Sequence, residues 1–296
     1  MTPSCVTMAL MRIAHSFSEL RTLLPSSRTH RSWLVPTMGA LHEGHGSLID
    51  RARSEGDFVA VSIFVNPLQF GPGEDLDRYP RTLESDLAFL ERRGTDLVFL
   101  PTAGEIVPRD GRITVSSGPV GKLFCGRSRP GHFDGVLTIV LKLFHLFSPE
   151  GAVFGEKDRQ QLFLIQSMVR DLDLPIRVVG HPTVRESDGL ALSSRNRYLT
   201  SEERSRAALF PAILDHAARL WKDLARDPFQ NRLEVCDTIS RRLSEEGFVV
   251  DYVAIADRET FLPISGPAIP DEAFLLAAVH LGKTRLIDNR ELSTGV

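Results

Sequence analysis

Short apolar runs alternate with amphipathic segments through roughly the first 180 residues. A run such as Phe58–Val65, apolar at almost every position, is typical of a strand buried on both faces. A segment such as Leu83–Arg93, which ends before Gly94, has helical spacing and a good C-terminal cap. Taken together, these segments predict alternating strands and helices.

The predicted strands are Ser32–Pro36, Phe58–Val65, Leu97–Leu100, Ala152–Phe154 and Ile176–Gly180. The predicted helices are Ser47–Glu55, Leu83–Arg93, Val136–Phe147 and Asp158–Leu172. This β-α-β order predicts an α/β fold, with a parallel sheet that carries helices on both faces.

The pattern changes after about residue 188. Thr200 and Glu203 have capping-box spacing and predict a helix to about Arg226, and a second helix is predicted from Asn231–Glu234 to Gly247. Three strands follow. They are predicted at Phe248–Ala256, Ala273–Leu281 and Thr284–Asp288, with a hairpin turn at Gly282-Lys283.

This change predicts two domains. We expect residues 1–188 to form the larger α/β domain and residues 189–296 a smaller α+β domain, with a hinge near Glu186–Leu190. The smaller domain is expected to act as a lid.

Charge and cysteine content narrow the class of protein. The net charge of −3 over 296 residues offers no basic field for nucleic acid. No apolar run is long enough to span a bilayer, and no secretory signal is evident. Cys5, Cys125 and Cys236 are odd in number and far apart, which favours reduced thiols and a cytoplasmic location.

The segment Trp33–Ile49 carries the first candidate chemistry. It predicts a strand, a glycine turn and a helix start with His42, Gly44 and His45. A helix N-terminus offers unpaired N–H groups and a positive dipole end, which suit phosphate. Histidines three residues apart share one helix face and can reach the same phosphate group. Chemistry on the phosphates of ATP is therefore the first hypothesis.

Three alternatives compete for the same segment. A zinc site in the metalloprotease pattern needs histidines four residues apart, whereas here they are three apart. A dinucleotide-binding turn needs the G-x-G-x-x-G pattern, which is absent. The histidines can also be ordinary residues of a helix surface.

Two clusters follow predicted strands, where ligands bind in open parallel sheets. Asn66 and Gln69 offer neutral amides that can orient a hydroxyl or carboxylate, although an Asn-Pro turn explains them equally well. Lys157 can meet a phosphate, and Asp158 can cap a helix or hold magnesium through water. The alternative for these two is a solvated, charged helix start.

Three further segments have weaker signals. Ser193-Ser194-Arg195 combines hydroxyls and a guanidinium as an anion clamp, or forms the first turn of a helix. The loop Gly71–Arg81 is a candidate lid or a surface loop. The lone His132 in the basic turn Arg127–Phe133 favours a structural role.

In order along the chain, these blocks make the sequence resemble the pantoate–β-alanine ligase family. The matching segments are Pro36–His45, Val65–Phe70, Asp75–Arg81, Arg129–Phe133, Gly155–Asp158 with Gln160-Gln161, and Ser193–Asn196. They cover roughly residues 30 to 200, while the C-terminal third matches in layout more than in motif. No single block is specific to the family, but the occurrence of all these blocks in the order found in the family is.

The resemblance implies a Rossmann-like nucleotide-binding domain and an ATP-dependent ligase. Pantoate attacks the α-phosphate of ATP to give pantoyl adenylate and pyrophosphate, and β-alanine then displaces AMP to give pantothenate. The resemblance also implies that magnesium is used with ATP and that the protein is a homodimer, but it does not identify protein ligands of the magnesium.

Site residues follow from the same resemblance. His45 resembles the proton donor of the family, and His42 and Lys157 join it as catalytic groups at the phosphates. Gln69 and Gln161 resemble the pair that holds pantoate, and Gln69 also lies near β-alanine. The residues that the resemblance places at ATP are Met38, Gly39, Ala40, Leu41, His42, Glu43, Gly44, His45, Gly155, Glu156, Lys157, Asp158, Val184, Leu192, Ser193, Ser194 and Arg195.

The chain departs from the family pattern at Gly46, Cys125 and Arg159. Gly46 is expected to loosen the first turn of its helix by about 1 kcal/mol. Two rival classes stay open, a nucleotidyl transferase acting on a phosphorylated substrate and a non-catalytic nucleotide-binding protein. The glutamine pair argues against the first, because a phosphate substrate favours arginine or lysine there.

Overall fold

The computed structural model describes residues 10–25, 30–107, 113–224, 233–264 and 272–293. The chain divides into two compact units. Unit 1 comprises Met1–Ser116, Gly131–Gly155 and Ile165–His181, and unit 2 comprises Ser117–Pro130, Glu156–Leu164 and Pro182–Val296. The expected domain limits, 1–188 and 189–296, remain a prediction.

The described residues form two sheets. The strands are β1 (Arg12–Ala14), β2 (Ser32–Thr37), β3 (Phe58–Ile63), β4 (Leu97–Phe99), β5 (Gly151–Gly155), β6 (Arg177–His181), β7 (Val249–Asp257), β8 (Glu272–Leu281) and β9 (Thr284–Ser293). Strands β1 to β6 form one parallel sheet in the order β1-β4-β3-β2-β5-β6, which confirms the predicted parallel sheet.

Helices connect these strands. They are α1 (Phe17–Leu23), α2 (Glu43–Glu55), α3 (Leu83–Arg92), α4 (Ala103–Ile106), α5 (Phe124–Ser128), α6 (His132–Phe147), α7 (Arg159–Asp171), α8 (Ser201–Ala207), α9 (Leu209–Leu224) and α10 (Leu233–Glu245). Short 3₁₀ helices cover Pro67–Gln69, Val120–Lys122 and Ser194–Tyr198.

Both faces of the six-stranded sheet are covered by helices. On one face Val153 of β5 packs in the same apolar cluster as Ile49 of α2. The next residue, Phe154, points to the other face, where its ring meets Phe144 of α6 with centroids 6.3 Å apart. Successive strand residues alternate between faces, so this pairing confirms the expected two-sided sheet.

Strand β2 lies at the point where the strand order reverses. Its neighbours are β3 on one side and β5 on the other. In open α/β sheets, ligands bind beyond the carboxyl ends of strands at such a point. The segment that follows β2 and carries His42 and His45 therefore leaves the sheet where this fold binds ligands.

Unit 2 contains the antiparallel sheet β7-β8-β9 and the helices α8, α9 and α10. Its core includes Phe210 and Leu214 of α9 packed with Leu275 and Val279 of β8. Leu281 pairs directly with Thr284, and Gly282 has φ +55° in the turn between them. The α+β layout and the hairpin predicted for the C-terminal part are thus confirmed.

Some element boundaries differ from the predictions. The helix expected from Thr200 to about Arg226 is broken into α8 and α9, because Pro211 lacks an N–H and its ring crowds the carbonyl of Ala207. The capping box of Thr200 and Glu203 forms as predicted. The end near Arg226 and the start near Asn231 lie outside the described residues.

Two short N-terminal elements, β1 and α1, were not predicted. The three residues of β1 and the seven of α1 carry too little periodicity to indicate a strand or a helix. Within the described ranges, none of the helices combines the length and apolar character that crossing a bilayer requires.

Candidate active site

A strained turn joins β2 to α2. Gly39 and Ala40 have φ +81° and +51°, so two successive residues occupy the left-handed region. That region is easy for glycine but costs about 1–2 kcal/mol for alanine. A Cβ on Gly39 would lie 3.0 Å from Ile63 Cγ2 and 3.1 Å from Asp86 Oδ2. The turn therefore needs glycine at position 39 and an outside support for Ala40.

Asp86 of α3 supplies that support. Its carboxylate accepts the N–H of Ala40 at Oδ2 and the N–H of Leu41 at Oδ1, each at 2.9 Å. The Thr82 hydroxyl donates to the same carboxylate at 3.1 Å, and Asp86 is only 3% exposed. Hydrogen bonds to a charged group contribute about 1.5–3 kcal/mol each, so the two backbone bonds together exceed the strain at Ala40. Asp86 was not predicted as a site residue.

The two histidines cap α2. His42 is the N-cap residue, and its Nδ1 accepts the N–H of Gly44 at 3.1 Å. His45 reaches back, and its Nδ1 accepts the N–H of His42 at 3.3 Å. The helix begins at Glu43, four residues before the predicted start at Ser47, because this reciprocal cap offsets the low helix propensity of Gly44 and Gly46.

This capping fixes the tautomer of both rings. Nδ1 of each ring accepts a hydrogen bond from a backbone N–H, so it cannot carry a hydrogen of its own. Each neutral ring therefore carries its proton on Nε2. The ring centroids of His42 and His45 are 4.2 Å apart. Two adjacent Nε2–H donors at a helix N-terminus suit an oxyanion, as phosphate chemistry requires.

Gln69 lies in a network of polar contacts within unit 1. Its side-chain amide donates to Met38 Sδ at 3.2 Å and accepts from Asn66 Nδ2 at 3.1 Å. Asn66 Nδ2 also donates to the carbonyl of Gly135, and His132 Nδ1 lies 2.8 Å from the carbonyl of Gln69. The structure thus brings together Met38 and Gln69, both predicted at the site, and gives His132 a role in supporting Gln69.

Close packing of α6 holds the same turn. A Cβ on Gly135 would lie 2.2 Å from the carbonyl oxygen of Leu68 and 2.8 Å from the amide nitrogen of Gln69. Only glycine allows α6 to approach the Pro67–Gln69 turn this closely, because the atoms it would meet are backbone.

In unit 2, Lys157 lies against the segment that the sequence named as an anion clamp. Its Nζ donates to the carbonyl of Leu192 at 3.2 Å. The amide of Leu192 bonds to Val184, and the hydroxyl of Ser193 accepts the N–H of Arg195 at 3.3 Å as the cap of a 3₁₀ helix. Of the predicted ATP residues, the structure therefore brings together Lys157, Val184, Leu192, Ser193 and Arg195.

The surroundings of Lys157 favour loss of its proton. Burial, and after it the charge of Arg195, lower the pKa of Lys157 to about 8, although Asp288 and Asp158 oppose the shift. Arg185 adds a smaller lowering effect. A desolvated ammonium near a second cation gains much when an anion such as phosphate binds.

The remaining predicted residues are placed as follows. Asp158 caps α7, because its Oδ1 accepts the N–H of Gln161 at 3.1 Å, as predicted. Glu156 pairs with Arg159 at 2.9 Å. Gly155 ends β5 in unit 1, and Ser194 starts the 3₁₀ helix after Ser193. Gln69 belongs to unit 1 and Gln161 to unit 2, and their joint role remains a prediction.

Two of the three departures from the family pattern, Gly46 and Arg159, have a structural explanation. A Cβ on Gly46 would lie 2.8 Å from the guanidinium carbon of Arg93, so Gly46 makes room for an arginine that pairs with Glu43 and Asp50. Arg159 pairs with Glu291 at 2.9 Å and lies over the ring of Phe274. Burial raises the pKa of the Cys125 thiol, which keeps it unreactive.

Sequence reasoning missed two further supports. Gln160 is 3% exposed, accepts the N–H of Cys125 and donates to the carbonyls of Val120 and Leu123. The side-chain amide of Asn289 in β9 donates to the backbone carbonyls of Glu156 and Lys157. In the part of the chain that the structure describes, no group of three or more His, Cys, Asp or Glu side chains could hold a metal ion.

Comparison with known proteins gives one consistent result. A family model described as pantoate-beta-alanine ligase matches residues 12–291. The pantothenate synthetase of Acidothermus cellulolyticus is 50% identical over 94% of this chain and 90% of its own length. That of Mycolicibacterium smegmatis is 50% identical over 88% and 81%.

Solved structures agree with these matches. The crystal structure of pantothenate synthetase from Thermus thermophilus has a TM-score of 0.84 and 46% identity, covering 95% of this chain and 99% of that one. A pantoate-beta-alanine ligase from Francisella tularensis, complexed with beta-gamma ATP and beta-alanine, has a TM-score of 0.77 and 35% identity, covering 95% and 97%.

The cap that His42 forms and the donor role that we expect of it toward ATP can be separated by substitution. His42→Asn should retain the free energy of unfolding, because asparagine is a preferred N-cap, while ATP affinity falls about 10- to 100-fold with the loss of the Nε2–H donor. His42→Ala should lose the same affinity and also about 1 kcal/mol of stability. Denaturant unfolding and calorimetric titration with ATP measure the two quantities. Wild-type ATP affinity in His42→Asn would rule out the donor role.

Proposed function

Because the chain belongs to the pantoate–β-alanine ligase family, we propose that it joins pantoate to β-alanine with ATP, releasing AMP and pyrophosphate. The observation that carries this proposal is the family match over residues 12–291. The bound nucleotide and β-alanine of the Francisella tularensis structure support ATP and β-alanine as substrates here.

The first step forms a mixed anhydride. A carboxylate oxygen of pantoate attacks the α-phosphorus of ATP, the bond to the bridging oxygen of the β-phosphate breaks, and pyrophosphate leaves. Negative charge grows on the α-phosphate and on the leaving group. We assign its stabilisation to the Nε2–H groups of His42 and His45 and to the ammonium of Lys157, because preorganised donors are worth most where charge develops.

Substrate recognition uses neutral groups. Gln69 is held by Met38, Asn66 and the close packing of Gly135, so its amide is preorganised to bind the hydroxyl and carboxylate of pantoate. Gln161, whose backbone N–H anchors it to Asp158, is assigned to the same substrate. Val184, Leu192, Ser193, Ser194 and Arg195, with Gly155, Glu156 and Asp158, are assigned to ATP.

The second step forms the amide. The neutral amine of β-alanine attacks the acyl carbon of the adenylate, the bond from that carbon to the AMP oxygen breaks, and the nitrogen loses a proton. We propose that Gln69 also contacts β-alanine. No covalent enzyme intermediate is needed, and burial raises the pKa values of the Cys125 and Cys236 thiols away from the range of a reactive thiolate. Cys5 lies outside the described residues.

Magnesium enters as the complex with ATP. Mg²⁺ keeps several waters and binds chiefly through substrate phosphates, so it needs few protein ligands. Asp158 would contact the ion through water with the carboxylate oxygen that does not accept the N–H of Gln161. When bound, the ion neutralises charge on the phosphates.

We further propose that the enzyme is a cytoplasmic homodimer. A cytoplasmic location agrees with the unpaired thiols of Cys125 and Cys236. Light scattering after size-exclusion chromatography tests the dimer, for which the monomer mass of 32.9 kDa is the reference.

A free-standing adenylate predicts isotope exchange without β-alanine. Pantoate and Mg-ATP alone should support exchange of labelled pyrophosphate into ATP, and adding β-alanine should convert the trapped adenylate into AMP and pantothenate. Reactions lacking pantoate serve as the control. Exchange that strictly requires β-alanine would show that the two steps are not separate, and exchange with a phosphorylated acid in place of pantoate would favour the nucleotidyl transferase class.

The lowered pKa of Lys157 predicts an alkaline limb in the pH–rate profile, that is, a fall in rate at high pH. Only the charged form binds phosphate strongly, so kcat/KM for ATP in the exchange reaction should fall as the pH rises through about 8. The same limb should lie at higher pH in kcat, because bound ATP stabilises the ammonium. Lys157→Arg should lack the limb, since guanidinium stays charged. A limb that is unchanged in Lys157→Arg would assign it to another group.

A further inference from the structure

Two adjacent residues of β9 hold the segments on both sides of the Lys157 ammonium. Asn289 is 7% exposed, and its Nδ2 donates to the carbonyls of Glu156 and Lys157, each at 2.9 Å. These bonds fix the backbone from which the Lys157 side chain extends. They run from β9 to a segment 132 and 133 residues earlier, so they are not a local feature of the turn.

Asp288 holds the other segment. Its side chain is 1% exposed and accepts two hydrogen bonds from Arg185, at 2.8 and 2.9 Å. Arg185 pairs with Ala191 in an isolated β-bridge, and the adjacent Val184 accepts the N–H of Leu192 at 3.0 Å. The carbonyl of Leu192 is the acceptor for Lys157 Nζ. Asp288 thus anchors the backbone that carries this acceptor.

Charge adds a second link between Asp288 and Lys157. Among the charged groups that act on the ammonium, Arg195 and Arg185 disfavour its protonated form, and Asp288 and Asp158 favour it. Asp288 also pairs with Arg290 at 3.0 Å, so it balances more than one partly buried cation. Removal of Asp288 and removal of Arg185 should therefore have opposite effects on the protonation of Lys157.

We propose that Asp288 and Asn289 are positioning residues for adenylate formation, which together hold the Lys157 ammonium and its Leu192 partner in place for the phosphates of ATP. This inference rests on the proposed role of Lys157. Neither residue is among those assigned to ATP, pantoate or β-alanine, and neither belongs to the segments that resemble the family motifs.

The test compares pH profiles of kcat/KM for ATP in pyrophosphate exchange. Asp288→Asn should move the alkaline limb to lower pH, and Arg185→Gln should move it to higher pH. Asn289→Ala should lower the rate about tenfold at every pH and leave the limb in place. Asp251→Asn is the matched control, because it breaks a comparable ion pair with Arg285 and should keep the wild-type profile. Circular dichroism checks that each variant is folded.

A second readout does not depend on activity. Reductive methylation with ¹³C-formaldehyde keeps the charge of lysine, and the Lys157 signal, assigned by its loss in Lys157→Arg, can be titrated by NMR without ATP. Its titration should shift in opposite directions in Asp288→Asn and Arg185→Gln. Shifts in the same direction, no shift, or a wild-type rate in Asn289→Ala would overturn the inference. A wild-type limb that persists in Lys157→Arg would instead overturn the proposed role of Lys157.

Discussion

The carboxylate of Asp86 makes the turn between β2 and α2 possible. Without its two hydrogen bonds at 2.9 Å, the amides of Ala40 and Leu41 would be buried without partners, and Ala40 would have no compensation for its left-handed backbone. This turn decides where the chain leaves the sheet. It therefore also sets the direction of α2, the position of the histidine cap and the orientation of both rings.

Backbone groups take part in orienting each of the proposed catalytic residues. His42 and His45 accept amide hydrogens at Nδ1, which leaves each proton on Nε2, and Lys157 donates to the carbonyl of Leu192. In the proposed mechanism the histidines act as neutral donors, while Lys157 supplies a charge that burial and Arg195 make costly until an anion binds. This division suits a reaction in which charge moves along a triphosphate.

Much of the architecture could be predicted from local pattern. Strands such as β3 are buried on both faces and read as continuous apolar runs, and the caps at Thr200 and Asp158 depend on residues only three positions away. The supports of the site could not be predicted in this way. Asp86 acts on residues 45 and 46 positions earlier, and Asn289 on residues 132 and 133 positions earlier, so no periodicity connects them.

The most direct test of the role of Asp86 is the rate at which the Asp86→Asn variant forms the adenylate at saturating ATP and pantoate. Asparagine keeps one acceptor but turns an NH₂ group toward a backbone N–H, so the turn should loosen while the fold persists. The account predicts a rate about 10- to 100-fold below wild type, equivalent to a loss of about 1.4–2.7 kcal/mol, with a cooperative unfolding transition retained. A folded Asp86→Asn enzyme that forms adenylate at the wild-type rate would contradict it.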